Sequence, residues 1–139
     1  MLLRTTLPEP VVVDRFHTDA SPAALFGKLP DERNRFLFDS AGGPEDITRW
    51  SVFGTRPFLV ARAYGTSVTI TGEGGTTRRQ MNPFDLVDEL LEQFHMEPVA
   101  GLPPFCGGLT GYIAYDAGRC LERLPNTART ELPLPDLYL

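Results

Sequence analysis

Few side chains in this sequence are spaced for covalent chemistry. His17 and His95 are the two histidines, and no serine or cysteine sits in a nucleophile-elbow pattern, so a Ser–His or Cys–His relay finds no footing. His95 falls near the end of an amphipathic segment, where a cation interacts favourably with the helix dipole. Lys28 is the single lysine and hence the one candidate for amine or Schiff-base chemistry. Cys106 and Cys120 lack the spacing of a metal site or a redox pair, and Cys106 reads as a small buried hydrophobe. The acids between Asp85 and Glu92 could pair at i, i+3 and i, i+4, but the same pattern describes a solvated helix face. No residue is assigned to catalysis and none to a metal.

Glycine supplies the next signals. Gly72-Glu73-Gly74-Gly75 lacks the third glycine of a dinucleotide loop, and the alternation from Thr76 onward is that of a strand, so a hairpin turn is expected. Gly107, Gly108 and Gly111 crowd an apolar run. Glycine weakens a strand interior, so this density implies close approach of another backbone, either a bound ligand or tight packing against a second sheet.

The elements that would position these residues are short. Val11 to Phe16 reads as a strand. Ser21-Pro22 is a cap followed by proline at the first helical position, and the helix should run to about Leu29, stopped by Pro30. Asn34–Ser40 is an aromatic-rich strand. Four further strand-like runs follow, Arg49–Gly54, Pro57–Tyr64, Ser67–Thr71 and Thr76–Met81, whose connectors predict an antiparallel meander. Asn82-Pro83 repeats the helix start. Leu86, Val87, Leu90, Leu91 and Phe94 then recur at helical spacing to about Met96, with acids in the first turns. A strand over Gly108–Tyr115 and a helical turn or two over Asp116–Leu124 complete the pattern. The last residues, Asp136-Leu137-Tyr138-Leu139, open an apolar strand. That ending fits a short final strand, or an N-terminal piece of a longer chain.

The whole has 139 residues and a formal charge of −5, with 42% hydrophobic and 22% charged residues. One ordinary domain fits that length, and the composition excludes disordered and collagen-like chains. Thirteen glycines and 13 prolines argue against a long-helix bundle. A pI near 5.0 argues against nucleic acid as a partner. No apolar run approaches the roughly 18–20 residues needed to cross a bilayer, and Met1-Leu2-Leu3-Arg4 lacks a secretory signal, so no membrane association and a cytoplasmic location are expected.

Two stretches together resemble a family. Phe36-Leu37-Phe38-Asp39-Ser40 followed by Arg49-Trp50-Ser51-Val52-Phe53-Gly54 resembles the "LLES/LLDS … RYSFLG" signature opening the chorismate-utilising synthases. Phe105-Cys106-Gly107-Gly108-Leu109-Thr110-Gly111-Tyr112-Ile113-Ala114-Tyr115-Asp116 resembles their "PFxGGxxGYxxYD" segment. The likeness runs from about Val11 to Leu139. Two branches are implied, component I of anthranilate synthase and component I of aminodeoxychorismate (para-aminobenzoate) synthase. Asp39, in place of the more frequent glutamate, and Tyr115-Asp116-Ala117-Gly118-Arg119, similar to "YDLGR", lean toward the aminodeoxychorismate branch.

The resemblance implies an α+β fold, an antiparallel β-meander with two to three helices on one face, forming part of a larger two-sheet α/β/β/α sandwich. Residues 1–139 would be the N-terminal region, with the C-terminal catalytic portion absent and an apolar face left uncovered. The full-length enzyme would aminate chorismate with ammonia from a glutamine amidotransferase subunit, using Mg²⁺; one branch feeds folate synthesis, the other tryptophan synthesis. No cofactor is expected in these residues, and alone they should be inactive. In tryptophan-regulated members the first motif forms one wall of a pocket for free L-tryptophan, and the matching positions here are Leu37, Phe38, Asp39 and Ser40. A carboxylate and a hydroxyl suit an ammonium, and Phe38 suits an indole. The competing account is a strand end with Ser40 bonding its own loop, and a stand-alone small-ligand-binding domain is the alternative for the chain.

Overall fold

The computed structural model describes residues 12–40, 42–44, 48–97, 100–103, 105–125 and 132–139. They form two compact units, Met1–Pro57 with Pro98–Cys106, and Phe58–Glu97 with Gly107–Leu139.

In the first unit, helix α1 (Pro22–Gly27) starts as expected. The Ser21 side chain accepts the Ala24 amide at 3.2 Å and Pro22 takes the first helical position. It ends at Gly27 with Lys28 as its C-cap, short of Leu29, because the residue before Pro30 is sterically kept out of the helical region. Strands β1 (Phe36–Phe38) and β2 (Val52–Gly54) form an antiparallel ribbon pairing Phe36 with Gly54, Leu37 with Phe53 and Phe38 with Val52. Phe26 and Phe53 pack edge to face at 6.2 Å, and the Arg35 guanidinium lies 4.8 Å over the Phe26 ring.

The second unit is a five-stranded antiparallel sheet in the order β5-β4-β3-β7-β6, built from β3 (Leu59–Tyr64), β4 (Ser67–Gly72), β5 (Gly75–Gln80), β6 (Tyr112–Ile113) and β7 (Leu137–Tyr138). Two-residue turns join β3 to β4 and β4 to β5, the first holding Gly65 at φ +54° and the second leading into Gly75, the first residue of β5, at φ +104°. The register sets Ala61 opposite Ile70, and Ala63 opposite both Val68 and Leu137, so all five buried side chains share one face. Helix α2 (Pro83–Gln93) covers that face with Leu86 and Leu90, while the Arg79 fork holds Glu89 at 2.7 and 3.0 Å. The opposite face carries a row across three strands: Arg62, then Tyr138, then Tyr112, the two rings stacked at 6.1 Å. A 3-10 helix (Tyr115–Cys120) follows β6, pinned by Arg119 to Asp116 and to the Leu124 and Pro125 carbonyls.

The α+β class and the meander are thus present, and several expectations need correction. Residues 12–18 form no strand, and Val12 and Phe16 are 79% and 72% exposed; an apolar run makes a strand only where a neighbour pairs with it. Val11 lies outside the described residues. The run Arg49–Gly54 does not enter the meander but pairs with β1, since Arg56 at φ +54° and Pro57 interrupt the chain before β3. Helix α2 stops at Gln93 and leaves Leu91 exposed. The expected strand Gly108–Tyr115 shrinks to two residues after the positive φ of Gly111. The covering helix on the five-stranded sheet is α2; α1 belongs to the other unit.

Candidate ligand-binding site at the end of β1

The ribbon's backbone pairing ends at Phe38 and Val52. Continued by two residues, the same register sets Asp39 opposite Ser51 and Ser40 opposite Trp50, and here side chains take over. Ser51 Oγ donates to Asp39 Oδ1 at 2.6 Å and accepts the Ser40 amide at 3.2 Å. Ser40 Oγ donates to the Trp50 carbonyl at 2.7 Å. Asp39 is exposed, and Ser40 and Ser51 are half-buried.

Asp39 and Ser40 therefore sit together in one hydrogen-bonded group. Phe38 is 55% exposed, its ring tilted against Phe36 at 5.3 Å. Leu37 points to the other side of the ribbon by the alternation of a strand, so it is not brought together with Phe38. The hydroxyl of Ser40 bonds the Trp50 carbonyl at the far end of the connection between β1 and β2, which is also what the account of a strand end with Ser40 bonding its own loop describes. Ser51 was not singled out from the sequence as a ligand residue. Its signal was present, a hydroxyl inside the second half of the motif, but its role needs the register.

The residues weighed for chemistry stand apart from this group. His95 lies beyond the end of α2 and meets Glu97 at 3.1 Å. His17 and Lys28 are exposed. Cys106 is exposed, not buried: its thiol donates to the Pro103 carbonyl at 2.9 Å in a Gly- and Pro-rich loop that has no core to enter. Cys120 is half-buried, and burial pushes its thiol up from the ordinary value. Among the described residues no three His, Cys, Asp or Glu side chains converge as they would in an all-protein metal cage. Among the same residues no helix is long and apolar enough to cross a membrane. At Gly111 the close backbone approach is real and comes from the chain itself: a Cβ there would overlap the Tyr138 carbonyl.

No family model matches the chain. Individual proteins do. It is 31% identical over 93% of its length to anthranilate synthase component 1 of Acetivibrio thermocellus, and 33% identical over 94% to that of Acinetobacter calcoaceticus. To the protein of the same name from Pseudomonas aeruginosa it is 35% identical over 86% of its length. The matched stretches are 26%, 28% and 25% of those proteins. This kinship supports the chorismate-utilising family indicated by the two motifs. Over most of its length, then, the chain is similar to anthranilate synthase component 1, and it spans about a quarter of the length of those relatives.

Proposed function

We propose that this chain is the N-terminal, structural and regulatory region of a chorismate-utilising synthase component I of the anthranilate synthase type. The observation that carries the reading is the similarity over most of the chain to proteins of that name. Its parent would convert chorismate with ammonia from a glutamine amidotransferase subunit, in the cytoplasm, and Mg²⁺ would act in the remaining portion. That portion would cover the exposed aromatic face of the five-stranded sheet. The group at Asp39 and Ser40, with Phe38 beside it, would receive the ammonium and indole of L-tryptophan.

A second reading, the same region of aminodeoxychorismate synthase component I, is favoured by Asp39 and by Tyr115-Asp116-Ala117-Gly118-Arg119. Product analysis on a full-length protein carrying these residues separates the two, one giving anthranilate and the other aminodeoxychorismate. The chain by itself is expected to turn over no chorismate with ammonia and Mg²⁺; turnover would overturn the assignment of the chemistry to other residues.

A further inference from the structure

We propose that Glu32 and Arg56 form a salt-sensitive latch. Their ion pair holds Arg56 in a left-handed backbone state, and opening the pair returns it to extended backbone and redirects the chain on its way into the second unit.

Three unfavourable features meet just beyond the base of the β1–β2 ribbon. The ladder ends with Phe36 opposite Gly54, and the same register continued outward sets Arg35 opposite Thr55 and Asn34 opposite Arg56. Both members of that last pair are left-handed, Asn34 at φ +61° and Arg56 at φ +54°. Asparagine tolerates that region, whereas arginine is seldom found there. Pro57 adds to the conflict, because the residue before a proline is ordinarily extended. Next to Arg56, Thr55 keeps a buried hydroxyl that meets no hydrogen-bond partner among the described residues, a further cost of this conformation. Strain gathered at one point persists only where its surroundings hold it.

What holds it is Glu32. Arg56 Nε donates to Glu32 Oε2 and Nη2 to Oε1, each at 2.9 Å, the two-pronged geometry of a guanidinium on a carboxylate. The nearby Arg35 is already taken up by Asp31 and by the Leu29 and Pro30 carbonyls. The Arg56 side chain is 69% exposed and that of Glu32 37%, so dissolved salt screens the pair. An exposed pair stabilises by an amount of the same order as one left-handed non-glycine residue costs. The two backbone states of Arg56 therefore lie close in free energy, and the pair decides between them.

The position of the latch gives it reach. The Phe36 ring lies so close over Gly54 that a Cβ there would overlap it, so the ribbon is packed up to its last rung. Pro57 closes the first unit in this stretch and Phe58 opens the second. A backbone change at Arg56 leaves the packed rungs as they are and re-aims the residues that lead into β3.

NMR on this chain tests the latch. At positive φ the amide and Cα protons of one residue lie closer together than in extended backbone, so Arg56 should give a strong intraresidue cross-peak at low salt. Raising NaCl from about 0.01 M to about 1 M shortens the screening length from about 30 Å to about 3 Å. The left-handed population should then fall about two- to fivefold, the range open to an exposed pair. The amide shifts of Phe58 and Leu59 should move with the same midpoint. Glu32→Ala should show the released spectrum at low salt and keep it as salt is added. An Arg56 cross-peak as strong in Glu32→Ala as in wild type would mean that the pair holds nothing, and a wild-type cross-peak indifferent to salt would mean the same; either overturns the latch. A response at Arg56 that leaves Phe58 and Leu59 unmoved overturns the redirection. The salt series needs no variant, so it decides even where Glu32→Ala fails to fold.

Discussion

Gly111 and Gly74 show how differently one residue type is used within a single sheet unit. Gly111 holds φ +154°, and a Cβ on it would run into the Tyr138 carbonyl of the neighbouring strand. Gly74, in the turn between β4 and β5, has nothing within 4 Å of the same position. Gly111→Ala must therefore either distort the β6–β7 pairing or shift the backbone, at a cost of about 2–4 kcal/mol. Gly74→Ala has no such conflict and should stay within about 0.5 kcal/mol of wild type. Urea unfolding of the two variants checks the contrast, and equal midpoints would show that the close approach at Gly111 is not rigid. Of the glycines in the run from Gly107 to Gly111 that pointed to a close approach, Gly111 meets a backbone while Gly107 meets the Met96 side chain. The glycine density signalled a close neighbour, and only the placement of β7 shows that at Gly111 this neighbour is the chain's own backbone.

Among the elements, α2 is tied to the sheet by the Arg79–Glu89 pair, and this gives the fold a modest acid sensitivity. The hydrogen bonds from the Arg79 guanidinium hold the Glu89 carboxyl below its ordinary value. A carboxyl lowered in the folded state stabilises fully above its unfolded value, and that contribution is lost as pH falls through the lowered one. Both side chains are about a third exposed, so solvent limits the effect to under about 1 kcal/mol. Wild type should therefore exceed Glu89→Gln in unfolding free energy at neutral pH, and the two should converge in acid; parallel curves through that range would remove the pair from the account. The start of α2 was legible in the sequence because it is local: Asn82 accepts the Phe84 amide, Pro83 follows, and Leu86 and Leu90 repeat at one helical turn. The hairpins were legible for the same reason. The pairing of β1 with β2 was not, since both partners look like any other strand until the register is known. Nor was the insertion of β7 beside β3, which sets Leu137 on Ala63 from the far end of the chain. Asp39 and Ser40 were legible as a candidate site through the motif; their partner Ser51 was not, because it depends on that same register.

For the whole molecule, burial divides unevenly between the two units. Ala61, Ala63, Val68, Ile70, Leu86, Leu90, Ala117 and Leu137 are buried, and all of them belong to the second unit. In the first, the described apolar side chains are half-buried or exposed, Phe38 and Trp50 by 55% and 50%. Apolar burial at about 25 cal/mol per Å² is the main force opposing local opening, so the second unit carries most of the stability. Native-state hydrogen exchange should find the slowest amides in β3, β4 and α2, while amides of Phe36–Phe38 and Val52–Gly54 exchange at least tenfold sooner. Equal protection in both units would show a single cooperative core and overturn the division. Ligand binding sharpens the expectation, because a molecule that binds only the ordered ribbon stabilises it by mass action. L-tryptophan at saturating concentration should slow exchange at β1 and β2 and leave β3 and β4 unchanged. That pattern would locate a regulatory ligand on the part of the chain whose order is most open to change, where a small binding energy has the largest structural effect.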